Sequence, residues 1–189
     1  GIWQFKTELE DLAFRWLQPD EYKVITNLLD VKKKEWERYI THATRVLKTE
    51  FEKAGLKAEI SGRPKNISSI YHKMHKYNEQ GKELSDINDL LALRVLVDEI
   101  ADCYNALGII HSFWHPIPAL FDDYIANPRG NMYQSLHTTL IALEGKPLEI
   151  QIRTYEMHRT AEYGVAAHWR YKEGATKDMR FEEKMSWLR

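Results

Sequence analysis

The residues best suited to chemistry alternate along one short segment, Pro147–Thr154. The aliphatic residues Leu148, Ile150 and Ile152 alternate in this segment with the polar residues Glu149, Gln151 and Arg153. This period of two predicts a β-strand with one apolar and one polar face. A polar face of this kind most often faces water. A carboxylate, an amide and a guanidinium group on one face can also bind a polar ligand.

The segment before this strand supplies further polar and aromatic residues. Asn-Pro, Arg-Gly and Asn interrupt any periodicity over Ala126–Met132, which predicts a loop. A β-branched run, Tyr133–Leu143, follows, and the link Glu144-Gly145-Lys146 predicts a hairpin with the next strand. The side chains that could face a ligand here are Arg129, Asn131, Tyr133 and His137. They suit a ligand that carries a base to stack and phosphates to neutralise.

A second group of cations lies at a predicted turn. The strand Lys57–Ser61 leads into Gly-Arg-Pro-Lys and then into a predicted helix, Asn66–Tyr77. A turn followed by a helix N-terminus places backbone N–H groups at one point, and Arg63 and Lys65 add charge there. The segment is therefore a candidate phosphate site. It is not a P-loop, because the sequence contains no GxxxxGK[ST] motif.

A third segment, Asp89–Val97, is almost entirely apolar and predicts a central strand. It contains Asp89 at its start and Arg94 within it. A charge inside such a run is costly unless it is paired or functional, so Arg94 either forms a salt bridge to a core carboxylate or binds a ligand. Asp89 and Glu149, on different strands, could share Mg²⁺. Two such carboxylates beside basic residues favour phosphoryl or nucleotidyl transfer.

The remaining pattern predicts an α/β (α+β) domain in which helices flank a mixed β-sheet. The second helix is either continuous or joined near Asn27–Asp30, with Asp20 as its cap and Pro19 outside it. Pro116 and Pro118 begin a predicted loop that continues to Asp123. The predicted helices cover Phe5–Leu17, Asp20–Lys53, Asn66–Tyr77, Ala101–Trp114 and Thr154–Trp169.

Composition excludes several classes of protein. The chain has 189 residues, of which 43% are hydrophobic, so it can form a core and is not disordered. Its 27 basic and 28 acidic residues nearly cancel, which disfavours a general nucleic-acid binder. The single cysteine, Cys103, is expected in the core and favours a reducing, cytoplasmic setting without disulfides. No apolar run approaches the roughly 20 residues that span a bilayer, and the first residues do not form a signal peptide.

Three segments also carry a resemblance to a known family: YIANPRGNMYQSLHTT, LEIQIRT and EMHRTAEYGVAAHWRYKEG. They resemble the synthetase domain of the RelA/SpoT homologues. The resemblance implies transfer of pyrophosphate from ATP to the 3′-hydroxyl of GDP or GTP. The products are the alarmone (p)ppGpp, a signal of the stringent response, and AMP. It also implies a fold related to the polymerase-β-type nucleotidyltransferases.

The resemblance implies roles for individual residues. Asp89 and Glu149 would hold Mg²⁺, and Glu149 would also activate the 3′-hydroxyl. The ATP site would consist of Arg63, Lys65, Ser69 and Lys73, with Arg94 stacked on adenine. Tyr133 would stack on guanine, and the other residues around the guanosine nucleotide would be Arg129, Asn131, His137 and Gln151.

The resemblance also implies a domain organisation. Residues 1–54 would form a helical linker, residues 55–174 the synthetase domain, and residues 175–189 an amphipathic tail that leads to a missing neighbour. The full-length protein would add a hydrolase domain and C-terminal regulatory domains. Contacts with the ribosome and tRNA would be made only through those regions.

The segment Leu120–Asp123 departs from the family pattern. Bifunctional members usually carry Arg-x-Lys-Asp here and some dedicated synthetases carry Glu-x-Asp-Asp. Asp122 and Asp123 match the acidic variant, which leaves the metal dependence and the choice between GDP and GTP open.

Two other functional classes remain for the chain: a catalytically silent guanine-nucleotide-binding module, and an RNA-modifying nucleotidyltransferase. The first should lack a metal carboxylate, and the second should have a basic face. His158, Glu162 and His168 are expected to be structural, because the two histidines are misaligned on a helix.

Overall fold

The computed structural model describes residues 3–63, 67–78, 92–130 and 132–163. Five helices and five strands, with a short 3₁₀ turn at Leu143–Gly145, make up this part of the chain. The helices are α1 Trp3–Leu17, α2 Pro19–Lys53, α3 Ile67–Asn78, α4 Ile100–Phe113 and α5 Tyr155–Tyr163. The strands are β1 Glu59–Gly62, β2 Ala92–Val97, β3 His115–Asp123, β4 Leu136–Ile141 and β5 Pro147–Thr154.

The strands form one mixed sheet in the order β1-β2-β5-β4-β3. β2 and β5 are parallel, whereas the other neighbours are antiparallel. A mixed sheet flanked by helices was predicted, and the predicted hairpin is the β4–β5 pair. Because β5 lies at the centre of the sheet, its side chains can meet residues from both sides.

One face of the sheet carries the main hydrophobic core. Its centre consists of aliphatic residues of β2, β4 and β5, and α2 and α4 cover them. The residues that α2 and α4 contribute to this core are Tyr39, Ala43, Leu47, Phe51, Cys103, Ala106 and Ile110, and α5 adds Met157. Cys103 is fully buried, as expected, and burial raises its thiol pKa to about 12. Such a thiol is a core residue and not a nucleophile.

Helix α2 differs from its prediction at its beginning. It runs without interruption from Pro19 to Lys53, so there is no joint near Asn27–Asp30. Its N-cap is Gln18 and not Asp20, and Pro19 is the first helical residue rather than lying outside. Proline suits that position because the missing N–H would have no partner there. Gly55, with φ of +69°, follows the end of the helix.

The predicted loop up to Asp123 is wrong, because this segment forms strand β3. The strand lies at the edge of the sheet, and its pairing with β4 is irregular between Pro116 and Phe121. Prolines are tolerated in such a strand because an edge needs only one set of ladder hydrogen bonds. Most of its residues are exposed, so no alternation of apolar and polar residues marks it in the sequence. β4 begins at Leu136, three residues later than predicted.

Candidate active site

Predicted site residues from four separate segments form one row across the sheet. Arg94 on β2 is paired with Gln151 on β5, and Gln151 is paired with His137 on β4. His137 is in turn paired with Asp122 on β3. Directly paired residues project to the same face of a sheet. The row therefore lies on the face opposite the main core, and α5 packs on part of that face.

The polar face of β5 is buried, so its interpretation as a water-facing surface is wrong. Gln151 and Arg153 are each only 2% exposed. Gln151 Nε2 donates to Glu149 Oε1 at 2.7 Å, and Arg153 Nη2 donates to Gln151 Oε1. This chain of hydrogen bonds satisfies groups that would be costly to bury alone. It also fixes the orientation of the Glu149 carboxylate.

Arginine side chains converge beside this chain. Arg63 Nη1 lies 3.9 Å from Glu149 Oε1, and Arg94 Nη2 lies 3.5 Å from Glu162 Oε1. Burial lowers the pKa of both Arg94 and Arg153, and repulsion from neighbouring guanidinium groups adds to that effect. Within the described part of the chain, three guanidinium groups thus face two carboxylates. The site has an excess of positive charge that an anionic ligand would neutralise.

Tyr133 is held between neighbouring polar groups. Arg153 Nη2 donates to Tyr133 Oη at 3.1 Å, and the Tyr133 hydroxyl lies 2.8 Å from His137 Nε2. The Arg153 guanidinium lies 5.2 Å from the centre of the Tyr133 ring, within the range of a cation–π contact. The ring is half-buried and preorganised before any ligand binds.

His137 is neutral at pH 7. Burial lowers its pKa to about 4, and Arg153, Arg63 and Arg129 add to that effect while Glu149 opposes it. The 3.9 Å approach of His137 Nδ1 to Glu149 Oε1 is therefore not an ion pair at neutral pH. The Tyr133 hydroxyl can donate its proton to a neutral His137 Nε2 while its oxygen accepts from Arg153, and in this arrangement the proton on His137 Nδ1 faces the Glu149 carboxylate. We accordingly assign the His137 proton to Nδ1.

The loop before Tyr133 closes as a tight turn. Met132 N–H donates to the Arg129 carbonyl at 2.8 Å, and Arg129 N–H donates to the Tyr133 carbonyl at 3.2 Å. Met132 has a φ of +63°, a left-handed conformation that costs energy for a residue with a side chain. Arg129 stacks on Tyr124, with its guanidinium carbon 4.2 Å from the ring centre. The turn therefore holds Arg129 and Tyr133 on the same side of the site.

The two aspartates of the unusual acidic segment have different surroundings. Asp123 Oδ1 accepts the N–H groups of Ile125 and Ala126 at 2.9 and 2.8 Å, and Asp123 Oδ2 accepts the Tyr104 hydroxyl at 3.0 Å. These contacts favour a structural role for Asp123. Asp122 is exposed. The hydrogen bond to Tyr124 is the main cause of the raised pKa of Arg129, and the charge of Asp122 adds a smaller effect. Asp122 is thus the aspartate that could meet a ligand or a metal ion.

Several predicted site residues lie outside the described part of the chain. They are Lys65, Asp89, Asn131 and the side chain of Lys73, and the same holds for His168. Ser69 is exposed on the first turn of α3. His158 Nδ1 lies 3.7 Å from Glu162 Oε1, so it takes part in the arginine–carboxylate cluster. Among the described residues, no group of three or more acidic, histidine or cysteine side chains is arranged to hold a metal ion.

Three residues of the site were not identified as site residues from the sequence. Arg153 was correctly placed on the polar face of β5, but its burial under Tyr133 depends on how β4 and β5 pair. Glu162 pairs with Arg94, so the salt-bridge alternative for Arg94 is present in the structure. Tyr124, which lies between the two predicted loops, accepts a hydrogen bond from Arg129 Nη2 at 2.6 Å. The alternation of apolar and polar residues along β5 could have identified Arg153. The Arg94–Glu162 contact joins residues far apart in sequence, and no periodic pattern marks the local contact between Tyr124 and Arg129.

The fold is that of the small alarmone synthetases. Small alarmone synthetase 1 from Bacillus subtilis, in a crystal structure with its product pppGpp, has 21% identity and a TM-score of 0.54. That alignment covers 88% of this chain and 96% of the other. Small alarmone synthetase 2 from the same organism has 23% identity and a TM-score of 0.53, covering 86% and 92% of the two chains.

The sequence defines the family more closely. Residues 62–176, more than half of the chain, match the family described as the region found in RelA / SpoT proteins. The chain therefore belongs to the RelA/SpoT family. It is 46% identical to a GTP pyrophosphokinase of Myxococcus xanthus and 48% identical to one of Escherichia coli. Each alignment covers this whole chain but 25% of the relative, so the chain spans about a quarter of their length.

A further relative carries a different name. The chain is 45% identical to a probable guanosine-3′,5′-bis(diphosphate) 3′-pyrophosphohydrolase of Synechocystis, again over 25% of that protein. Family membership alone thus does not fix the activity of a whole protein. No helix in the described residues combines the length and apolar character needed to cross a membrane.

Proposed function

We propose that this chain transfers the β,γ-pyrophosphoryl group of ATP to the 3′-hydroxyl of GDP or GTP, forming (p)ppGpp and AMP. One observation carries the proposal: a buried cluster with excess positive charge lies beside a fixed carboxylate and a preorganised aromatic ring. This arrangement suits two substrates that bring polyphosphates and a base to one site. The relatives named GTP pyrophosphokinases support the same reaction.

The guanosine nucleotide would bind around Tyr133. Its ring would stack on guanine, and base–aromatic stacking contributes about 1–3 kcal/mol per base. Arg129 and His137 lie beside that ring, with His137 5.7 Å from it between ring centres. Neutral His137 could donate from Nδ1 to an acceptor oxygen, while Arg129 supplies charge for the phosphates. Asn131 is the further residue expected at this subsite, together with Gln151.

ATP would bind on the other side of Glu149, along β2 and the start of α3. The Nε of Arg94 is buried, and the described part of the chain provides no hydrogen-bond partner for it. Its guanidinium plane, held by Glu162, suits stacking on adenine. Arg63 lies where it can meet both the phosphates and Glu149, and Ser69 follows on α3. Lys65 and Lys73 are expected to add positive charge.

Glu149 is the proposed general base. Its side chain is 15% exposed, so a substrate hydroxyl can reach it. The carboxylate would accept the proton of the 3′-hydroxyl as the bond from the 3′-oxygen to the β-phosphorus forms. The bond from the β-phosphorus to the bridging oxygen breaks, and AMP leaves with that oxygen. Arg63 would neutralise charge on the transferred group, since such catalysis depends on positioning and electrostatics.

Mg²⁺ is the proposed cofactor, held by Glu149 and Asp89. The Glu149 carboxylate fits this role, because hard cations prefer carboxylate oxygens and its Oε1 is already oriented by Gln151. When bound, the metal ion would reduce the charge repulsion between the two polyphosphates. The described residues around Glu149 otherwise contribute guanidinium, amide and imidazole groups, so the second carboxylate must come from another segment.

The proposed setting is a longer cytoplasmic protein of the stringent response. The relatives are about four times as long as this chain, which supports additional hydrolase and regulatory domains. Contacts with the ribosome or tRNA would be made by those regions.

The proposal is tested by incubating the chain with γ-labelled ATP, Mg²⁺ and either GDP or GTP, with the products separated by charge. We expect label in a new, more highly charged guanosine nucleotide, together with AMP in equal amount. Label found only in inorganic phosphate or in unreacted ATP would contradict the proposal. If the chain bound GDP or GTP but transferred no label from ATP, the result would indicate the catalytically silent guanine-nucleotide-binding module instead.

A further inference from the structure

The N-terminus of α3 is held by a residue from a distant helix. Asp11 on α1 accepts two backbone hydrogen bonds, from Ile67 N–H at 3.3 Å and from Ser68 N–H at 2.8 Å. The first N–H groups of a helix have no partner within the helix, and their positive end attracts a carboxylate. The sequence predicted an anion site at this point. The anion in the structure is the Asp11 side chain.

An aromatic contact extends this attachment. Phe14 lies one turn after Asp11 on α1, is 7% exposed, and packs on Tyr71 with 4.4 Å between ring centres. Phe14, Ile25 and Ile70 form a small hydrophobic cluster that is separate from the main core. One face of α1 therefore contacts the first turns of α3 through both a polar and an apolar group.

Helix α3 depends on these contacts because it does not belong to the main core. Its described residues pack mainly on α1 and α2 rather than on the sheet. Ser69 belongs to the proposed ATP subsite. It is the residue after Ser68, whose N–H donates a hydrogen bond to Asp11. A shift of α1 would thus move Ser69 relative to Arg63 and Arg94, which the sheet holds in place.

We infer that Asp11 is a positioning residue for the ATP subsite. It fixes the start of α3, and through α3 it sets the distance between Ser69 and the arginines on the sheet. The inference rests on the proposed function for the identity of the nucleotide. It also means that the N–H groups of Ile67 and Ser68 are already paired with Asp11 and are not available to the ATP phosphates.

The test compares Asp11→Asn with the matched control Glu10→Gln. Asparagine keeps the shape but loses the charge and one acceptor oxygen, so it cannot accept both N–H groups equally well. Glu10 is the adjacent carboxylate on α1, is exposed, and pairs with Lys6 at 3.6 Å. Binding of a non-hydrolysable ATP analogue and of GDP is measured by calorimetry, and hydrogen exchange is followed over residues 67–71.

We expect Asp11→Asn to weaken binding of the ATP analogue about threefold to tenfold, as for loss of a helix cap, with less than about a twofold change for GDP. Exchange over residues 67–71 should rise, whereas Glu10→Gln should match the parent in all three measurements. Equal losses for ATP analogue and GDP, or unchanged exchange, would overturn the inference. If the parent bound no ATP analogue, the proposed function would fail separately, and the inference about the ATP subsite would fall with it.

Discussion

The protonation of His137 gives a prediction whose size follows from the structure. In the folded chain its pKa is about 4, compared with an ordinary value of 6.5. Between pH 4 and pH 6.5, His137 therefore binds a proton in the unfolded chain but not in the folded chain. Stability from this group is present above pH 6.5 and is lost as the pH falls towards 4. Between pH 7 and pH 5 the loss is about 2 kcal/mol.

The perturbation is His137→Gln, which keeps a polar group near Tyr133 but removes the titration. Free energies of unfolding are measured by urea denaturation at pH 7 and pH 5, without nucleotide and with a chelator. His111 and His158 also have pKa values lowered by burial, and their contribution is common to parent and variant. The parent should lose about 2 kcal/mol more than the variant between the two pH values. A difference below about 0.5 kcal/mol would refute the buried, neutral assignment of His137.

Two further substitutions test the division of the site and its metal dependence. Tyr133→Ala should weaken GDP binding by about 1–3 kcal/mol through loss of the base–aromatic stack, and calorimetry should show little change for an ATP analogue; equal weakening of both would contradict separate subsites. Asp122→Lys should lower the Mg²⁺ concentration at which the rate is maximal, because the exposed Asp122 carboxylate would recruit additional metal if the polyphosphates bind where we propose. Superimposable rate profiles against free Mg²⁺ would show that Asp122 takes no part in metal dependence.

The local patterns of the sequence predicted much of the fold. The period of two in Pro147–Thr154 identified strand β5 and the residues on each of its faces, although the central strand was predicted at Asp89–Val97 and the structure has β5 at the centre of the sheet. The predicted helix that begins at Thr154 is α5, and Thr154 caps it, because its Oγ1 accepts the Met157 N–H at 3.1 Å. These features are local, so residues close in sequence determine them.

Features that depend on tertiary structure were not predictable in the same way. β3 carries no alternation, because it is an exposed edge strand interrupted by prolines. The burial of Arg153 requires β4 and β5 to be paired in the observed register. The contact of Asp11 with α3 joins residues more than 50 positions apart, and no periodic pattern reports it.

The central claim is that Glu149 is the carboxylate on which the reaction depends. Glu149→Gln removes one negative charge while keeping the side-chain shape and an oxygen to accept the Gln151 hydrogen bond. The transfer of label from γ-labelled ATP to GDP is the most direct measurement, with binding of both nucleotides measured alongside. We predict a fall in rate of at least about 100-fold, as for loss of a general base, with the fold and both nucleotide sites retained. A rate within about tenfold of the parent would contradict the account.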